Sequence, residues 1–533
     1  MNITSLIGTN IDSNNVGLTH EKFKYFWQFI IVEIIAAALL RIFVFMHYQG
    51  IFINDTYIFL RYAENMAAGN GLVYNLGEKV LGYSSPLYVV LLAGLKFISM
   101  GIPFNIIVFI LNLLLFILSC FLFAKLIQNI GISGLIFFTV FCFYFSYIDA
   151  TVDGMGTMLM LTIVLSALYA IHKDKVDAAY ILGVISLLMR PEGALFIASV
   201  IIVYAFFKRR IPSVNTILIC VFVLLLWLIP TYLYFGNILP DSMLAKSTLF
   251  TGQQWGGVKS GLLEKGIMLM FGFSDNTFFL FSSHLKIILY LFSISFAVLF
   301  LIAAFRAFKS QPAILTAAIF FVLMLLFYTI GSPVRMFSWY TIVPSVIFLF
   351  VLSGIAEIFF NKRILNWLKW LIWGMVLILC IGTTIVGVPY RTNGINEEVN
   401  KDRKFIKYLD KTAYGIKSIF ISDIGYIGYW EKNWRIIDGS GLVSPQVLAR
   451  KNGEKLTYLG DIFNEEKPDV IYFKEDILDS NIVTENMRYA TFRNSTERKT
   501  FLNNYLEVSK VKNFAEIFIR KSLLKNLSPP MLK

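Results

Sequence analysis

Charge is scarce in this chain of 533 residues: 15% are Asp, Glu, Lys or Arg, against 57% hydrophobic and 16% aromatic. With a mean hydropathy of +0.68, so little polar material cannot cover a soluble globule of this length, and that class is excluded. Cysteine is nearly missing, and Cys120, Cys142, Cys220 and Cys380 all fall inside apolar runs, which excludes a disulfide framework or a zinc site. Histidine is as rare: His20, His47, His172 and His284 are scattered, so a histidine metal cluster is not expected. No Walker or dinucleotide-binding glycine pattern occurs, which leaves soluble nucleotide use without support. No tandem repeat or low-complexity tract interrupts the chain. The net charge of +13 does not point to nucleic acid, because most Lys and Arg cluster between apolar runs, as the topology of a membrane protein requires.

What remains is long apolar runs. A helix needs roughly 20 apolar residues to cross the hydrocarbon core, and about eleven runs qualify, two of them short. They cover 25–46, 104–125, 132–148, 156–171, 177–189, 193–207, 215–235, 286–305, 312–330, 339–360 and 367–388. The polar residues 1–24 carry no small-residue cleavage site close behind them, so the first span is expected to stay as an uncleaved signal anchor. The run 86–100 has a length that suits either a short span or a surface helix. Positive charge decides between them. With that run lying flat on the outer face, the loops carrying Lys173 and Lys175, Lys208 to Arg210, Arg306 and Lys309, and Lys362 and Arg363 all become cytoplasmic.

This orientation gathers 47–103, 149–155, 190–192, 236–285, 331–338 and everything after about 389 on the outer face. The last of these changes character: a charged helical stretch, NEEVNKDRKFIKYLDK, precedes the β-like runs SIFIS, VIYF and AEIFI. The expectation is a polytopic α-helical membrane protein with a C-terminal mixed α/β extracytoplasmic domain. Its parts would be a cytoplasmic N-terminus, 1–24, a transmembrane module, 25–389, and an outer domain, 390–533.

The outer segment that carries chemistry follows the first span and reads FINDTYIFLRYAENMAAGNGLVYNLGEKVLGYSSP. Asp55 begins an amphipathic run there, where a carboxylate can meet a substrate at the bilayer edge; Asn54 or Asp55 could equally cap a surface helix. Tyr62, Tyr74 and Tyr83 are rings suited to an interface, among Gly69, Gly71, Gly77 and Gly82.

This segment resembles the first outer loop of GT-C glycosyltransferases of the bacterial terminal arabinofuranosyltransferase type, with Asp55, Arg61, Tyr62, Asn65, Gly69, Gly71, Asn75, Gly77, Gly82, Tyr83 and Pro86 in place. The first of that family's two adjacent aspartates is Asn54 here. VDGMGT at 152–157 is similar to the G-M-E-T element, with Gly156 at the position of its Glu. RPEG at 190–193, YFGNILPDSMLAK ending at Lys246, DIGYIGYW and IIDGSGLVSP resemble further elements, in the same order along nearly the whole chain.

The resemblance implies transfer of a sugar from a polyprenyl-phosphate donor to an envelope glycan or glycolipid acceptor, with inversion, on the outer face of the bacterial plasma membrane. Such a reaction needs a general base for the acceptor hydroxyl, for which Asp55 is the candidate. It also needs cations for the leaving phosphate, and Lys246, Arg335 and Arg190 are available. Arg335 could instead be an interfacial anchor beside Trp339 and Tyr340, and Arg190 could simply pair with Glu192. Asn54, Arg61, Tyr62, Tyr83, Asp153 and Glu192 complete the expected substrate-binding set. Second-loop acids of this family sometimes orient the donor or bind a divalent ion, and Asp149 and Asp153 would suit Mg²⁺ or Mn²⁺. With Asn54 and Gly156 replacing acids, no cofactor is expected to be obligatory. Asp423 and Asp438 lie beside glycines where turns account for them.

Other classes stay open. A lipid-linked oligosaccharide or O-antigen ligase would also work on this face, but with a pyrophosphate donor. A membrane sensor with an outer ligand-binding domain would leave the acid-bearing loop without a task. A transporter or flippase would show internal repeats and matched broken helices, and neither is evident.

Overall fold

The computed structural model describes residues 13–99, 101–130, 132–243, 245, 261–274, 277–278, 282–331, 336–361, 366–448, 457–473, 489–490, 492, 494–509 and 516–525. Helices fall where the apolar runs predict them. They are α1 (Ser13–His47), α2 (Asn54–Ala67), α3 (Pro86–Ile98), α4 (Phe104–Ile127), α5 (Ile132–Phe143), α6 (Phe145–Val152), α7 (Thr157–His172), α8 (Val176–Met189) and α9 (Gly193–Ile201). They continue with α10 (Val214–Phe235), α11 (Leu262–Phe271), α12 (Ser283–Ser310), α13 (Pro312–Leu326), α14 (Ser338–Asn361) and α15 (Asn366–Thr412). Among the described residues, 7 helices are long and apolar enough to cross a membrane, or 8 if α5 and α6, bent by 46° at their junction, count as one span. Helices α7, α8 and the α9 segment are apolar but shorter. Helix α3, at 13 residues, is about 20 Å long against a hydrocarbon core of about 30 Å, and it packs on α2 and α8.

The first span carries two charges that turn inward instead of toward lipid. The bend between α5 and α6 interrupts a ladder that lipid cannot complete, and Arg41 supplies the missing donors. Its Nη1 donates to the Cys142 carbonyl at 2.8 Å and its Nε to Thr151 Oγ1 at 3.1 Å, with the guanidinium over the Phe116 ring. One helical stretch away, Glu33 accepts from Thr139 Oγ1 at 3.0 Å, and that hydroxyl accepts from Trp373 Nε1 at 2.8 Å, joining α1, α5 and α15.

Helix α15 is 47 residues long and passes unbroken through the boundary expected near Tyr390, with Pro389 inside it. At about 70 Å it is both a span and the first element of the C-terminal domain. Beyond it come β1 (Ser418–Ile421), α16 (Gly425–Trp430), β2 (Arg435–Asp438), β3 (Thr457–Tyr458), α17 (Leu459–Glu466), β4 (Val470–Phe473), β5 (Tyr489–Ala490), α18 (Ser495–Asn504), β6 (Tyr505–Ser509) and β7 (Glu516–Arg520). The main sheet has the order β2-β1-β4-β7-β6, parallel across the first three strands and antiparallel at β7 and β6. The period of two is visible in burial. Phe420, Ile437, Ile471 and Phe518 face a core with α17 and α18, while Ile419, Ile421, Ile436, Val470, Ile517 and Ile519 face the core shared with the helical bundle.

The first loop is bolted to this domain through backbone atoms. Arg61 spends its guanidinium on three carbonyls: Nε to Tyr74 at 2.8 Å, Nη2 to Trp434 at 3.0 Å, and Nη1 to Gly428. The Asn75 amide pairs with the free edge of β2, donating to the Ile436 carbonyl at 2.8 Å and accepting from its N–H at 2.9 Å. Asn54 Oδ1 accepts from the Tyr426 N–H at 2.7 Å while Nδ2 donates to Glu398 at 3.0 Å. This contact explains Gly425, where a Cβ would lie 1.8 Å from the Asn54 carbonyl oxygen.

Truncating Arg61 takes the side-chain donor from the buried Gly428 and Trp434 carbonyls, while the Tyr74 carbonyl keeps the Asn65 amide at 3.1 Å. Arg61→Ala is expected to cost about 3 kcal/mol or more. It should lower the midpoint of thermal unfolding in detergent and make the C-terminal domain the first site of limited proteolysis.

Candidate active site

Helix α2 is set by its amphipathic run, with Thr56 to Ala63 buried and Asp55 in its first turn. Its N-cap is Ile53, and no side chain caps it, so neither Asn54 nor Asp55 plays the capping part. The helix instead presents Asp55, Ile58 and Phe59 to a narrow cleft. The other walls are Gly82 to Ser85, Met155, Gly156, Arg190, Ser242, Trp339 and Leu442. Every one of the six segments grouped by charge contributes to it, either directly or through the adjoining residue, as Trp339 does for 331–338.

Leu81 and Asp241 lock two of these walls together: the Asp241 N–H donates to the Leu81 carbonyl at 2.8 Å, and the Leu81 N–H donates to Asp241 Oδ2 at 3.2 Å. Gly82 then passes so close to the C-terminal domain that a Cβ would meet the Leu442 carbonyl oxygen at 2.6 Å. Asp438 builds the loop that brings Leu442 there, accepting from the N–H groups of Ser440 at 2.7 Å and Leu442 at 2.6 Å. Gly156 has no room for a side chain without movement, since a Cβ would lie 2.2 Å from the Met189 methyl and 3.0 Å from the Tyr88 ring.

Arg190 is the cation on the cleft wall among the described residues; Lys246 and Arg335 lie outside them. Its Nη2 donates to Glu192 Oε1 at 3.0 Å, its Nη1 to the Trp339 carbonyl at 3.0 Å, and Tyr340 lies beneath the guanidinium. Tyr328 donates to the same Glu192 oxygen at 2.6 Å, and Lys265 donates to the Tyr328 carbonyl. Burial penalises the Glu192 carboxylate, but the charge and hydrogen bonds of Arg190 and the Tyr328 hydroxyl outweigh it and hold Glu192 below its ordinary value. Glu192 therefore orients Arg190 and is not itself on the cleft wall.

The remaining expected residues divide. Tyr83 lines the cleft, whereas Tyr62 is fully buried behind it, donating to the Val80 carbonyl at 2.8 Å and accepting from the Gly82 N–H at 3.1 Å. Asn54 and Arg61 are occupied by the C-terminal domain. Asp153 sits under the start of α2: its carbonyl accepts from Thr56 Oγ1 at 2.7 Å and its Oδ1 from the Met155 N–H at 2.8 Å. Beside it Asp149 meets Tyr48 Oη at 3.3 Å and Arg391 Nε at 3.6 Å. Burial first, and then the Asp149 charge, push the Asp153 carboxyl well above its ordinary value. Among the described residues no three His, Cys, Asp or Glu side chains gather in a way that could hold a metal ion. Asp149 and Asp153 are both engaged by protein groups. Sequence reasoning missed Ser242, Leu442 and Arg391. Ser242 was within reach, because it lies in the LPDSMLAK string; Arg391 looks like any basic residue beyond a span.

A search of solved structures finds the same architecture in ArnT from Cupriavidus metallidurans, crystallised in the apo state, with a TM-score of 0.57 over 94% of this chain and 99% of that one at 12% identity. The chain has the fold of ArnT. Residues 394–519 match a family described as Domain of unknown function (DUF8728). No curated protein matches the chain.

The raised Asp153 carboxyl has a stability consequence of definite sign. A carboxyl whose folded value lies above its unfolded one stabilises fully below the unfolded value, near pH 4, and loses that contribution as pH rises toward the folded value. Asp153→Asn keeps the acceptor for Met155 and removes the titration. Its unfolding midpoint should gain on the wild type as pH rises above about 4, which thermal scans at increasing pH would check.

Proposed function

We propose that the chain is an integral membrane glycosyltransferase that moves a sugar from a polyprenyl-phosphate donor to an envelope glycan or glycolipid on the outer face of the plasma membrane. One observation carries this reading: Asp55 and Arg190, from segments more than a hundred residues apart, line one narrow cleft where the bundle meets the C-terminal domain. A carboxyl group and a guanidinium lining one cleft suit a reaction that gains a proton at one end and negative charge at the other.

The acceptor hydroxyl attacks the anomeric carbon from the side opposite the phosphate, and its proton passes to Asp55. The bond from the anomeric carbon to the phosphate oxygen breaks, and its electron pair leaves on that oxygen. Arg190, already charged and held by Glu192 and the Trp339 carbonyl, meets the growing negative charge without reorganising. Displacement from the opposite face inverts the anomeric centre. The C-terminal domain closes the cleft with Leu442 and, in this reading, stands outside the cell, with the basic loops in the cytoplasm.

The test is sugar transfer in membranes expressing wild type or Asp55→Asn, supplied with radiolabelled polyprenyl-phosphate sugars and native envelope acceptors. Loss of a general base is expected to lower turnover by about 10²- to 10⁴-fold with donor binding retained. Undiminished transfer by Asp55→Asn would overturn the base assignment.

A further inference from the structure

Among the described residues most buried hydroxyls have partners. Ser199, Ser345 and Ser353, buried on apolar helices, each donate to the carbonyl three residues back, at 2.6, 2.8 and 2.6 Å. Tyr62 has a donor and an acceptor on the backbone. Four buried hydroxyls among the described residues break the pattern, Tyr83 Oη, Thr157 Oγ1, Tyr204 Oη and Ser242 Oγ; of these, Tyr83 and Ser242 are the two that line the cleft. Both side chains are buried, each residue being 2% exposed, and among the described residues neither oxygen has a hydrogen-bond partner. Both line the cleft that holds Asp55 and Arg190. A buried polar atom without a partner calls for an explanation, and two in one cleft point to a ligand that supplies the missing bonds.

We propose that Tyr83 and Ser242 together hold the hydroxyl groups of the transferred sugar and determine which sugar the cleft accepts. This rests on the glycosyl-transfer reading above and adds to it the part of the donor that each group meets. Neutral hydroxyls donate and accept, which matches a polyol; a phosphate is better met by the Arg190 guanidinium. The two oxygens are also rigidly placed. Ser242 follows Asp241 and Tyr83 lies two residues beyond Leu81, and these two residues are hydrogen-bonded to each other in both directions. The Tyr83 ring is further wedged edge-on between Tyr62, with centroids 4.8 Å apart, and Phe235 at 6.4 Å. Fixed hydroxyls of this kind discriminate strongly, because a sugar with the wrong stereochemistry leaves them unpaired.

The experiment compares purified full-length wild type, Tyr83→Phe and Ser242→Ala by thermal unfolding in detergent. Each is measured alone, with polyprenyl phosphate, and with a panel of polyprenyl-phosphate pentoses and hexoses. Alone, both variants should unfold at or above the wild-type temperature, since each loses only an unpartnered hydroxyl. Polyprenyl phosphate should raise all three equally. The additional rise given by the preferred sugar ester should be lost in both variants, and KM for that ester should increase about tenfold per hydroxyl. Variants that keep the full sugar-dependent rise and KM, while the wild type responds, overturn this inference and leave the glycosyltransferase reading standing. A variant that unfolds earlier when alone yet responds fully to the sugar gives its hydroxyl a structural part and overturns the inference as well. A wild type indifferent to every carrier overturns both.

Discussion

The joint between the first loop and the C-terminal domain is the constraint on which the rest depends. Arg61, Tyr74, Asn75 and Asn54 all bond to backbone groups between Ile424 and Ile436. Backbone partners cannot rotate away, so the joint fixes the loop in register with the domain. Asn75 also covers the exposed edge of β2, which would otherwise present unpaired N–H and C=O groups to solvent. Because Asp55 lies one residue from Asn54, the position of the candidate base follows directly from this joint. An asparagine at position 54 has a physical account: the side chain donates to Glu398 as well as accepting from Tyr426, and a carboxylate there would face the Glu398 carboxylate.

The helical bundle solves a different problem by similar means. Apolar packing cannot satisfy a broken helix in lipid, so the chain places an arginine inside its first span and buries it against the break. The end of the bundle beside the C-terminal domain repeats the device at Arg190, where Glu192, Tyr328 and the Trp339 carbonyl hold a guanidinium that would be costly to bury alone. In both places several elements contribute partners to the charge, although Arg41 Nη2 has none among the described residues. Only at Arg190 does the charge border a cleft.

Legibility in the sequence followed burial. The apolar runs predicted the helices because an apolar helix in lipid needs nothing else to be recognised. In the C-terminal domain, SIFIS, VIYF and AEIFI became β1, β4 and β7, the three interior strands of the sheet, which are apolar on both faces. The edge strands, β2 and β6, carry Arg435, Asp438 and Glu507 and left no apolar run to read. Of the substrate-binding residues expected, Tyr83 lies on the cleft wall, while Arg61 and Tyr62 proved to be part of the scaffold. A buried arginine and a ligand-binding arginine look alike in a sequence, and only the three carbonyls around Arg61 tell them apart.

By itself the sequence determined the membrane class, the helices, the grouping of polar segments at one end and the presence of Asp55 in a loop of recognisable pattern. All of these follow from local composition and from the cost of placing charge in lipid, which neighbours in space do not alter. Tertiary structure alone decided that Arg190 and Asp55 share a cleft, that Glu192 orients and does not line it, and that Asn54 faces Glu398. It also brought Ser242 and Tyr83 to one cleft with their hydroxyls unpartnered among the described residues. These are contacts between residues tens to hundreds of positions apart, set by how apolar helices pack and by which backbone groups remain for side chains to satisfy, and no window of sequence contains them.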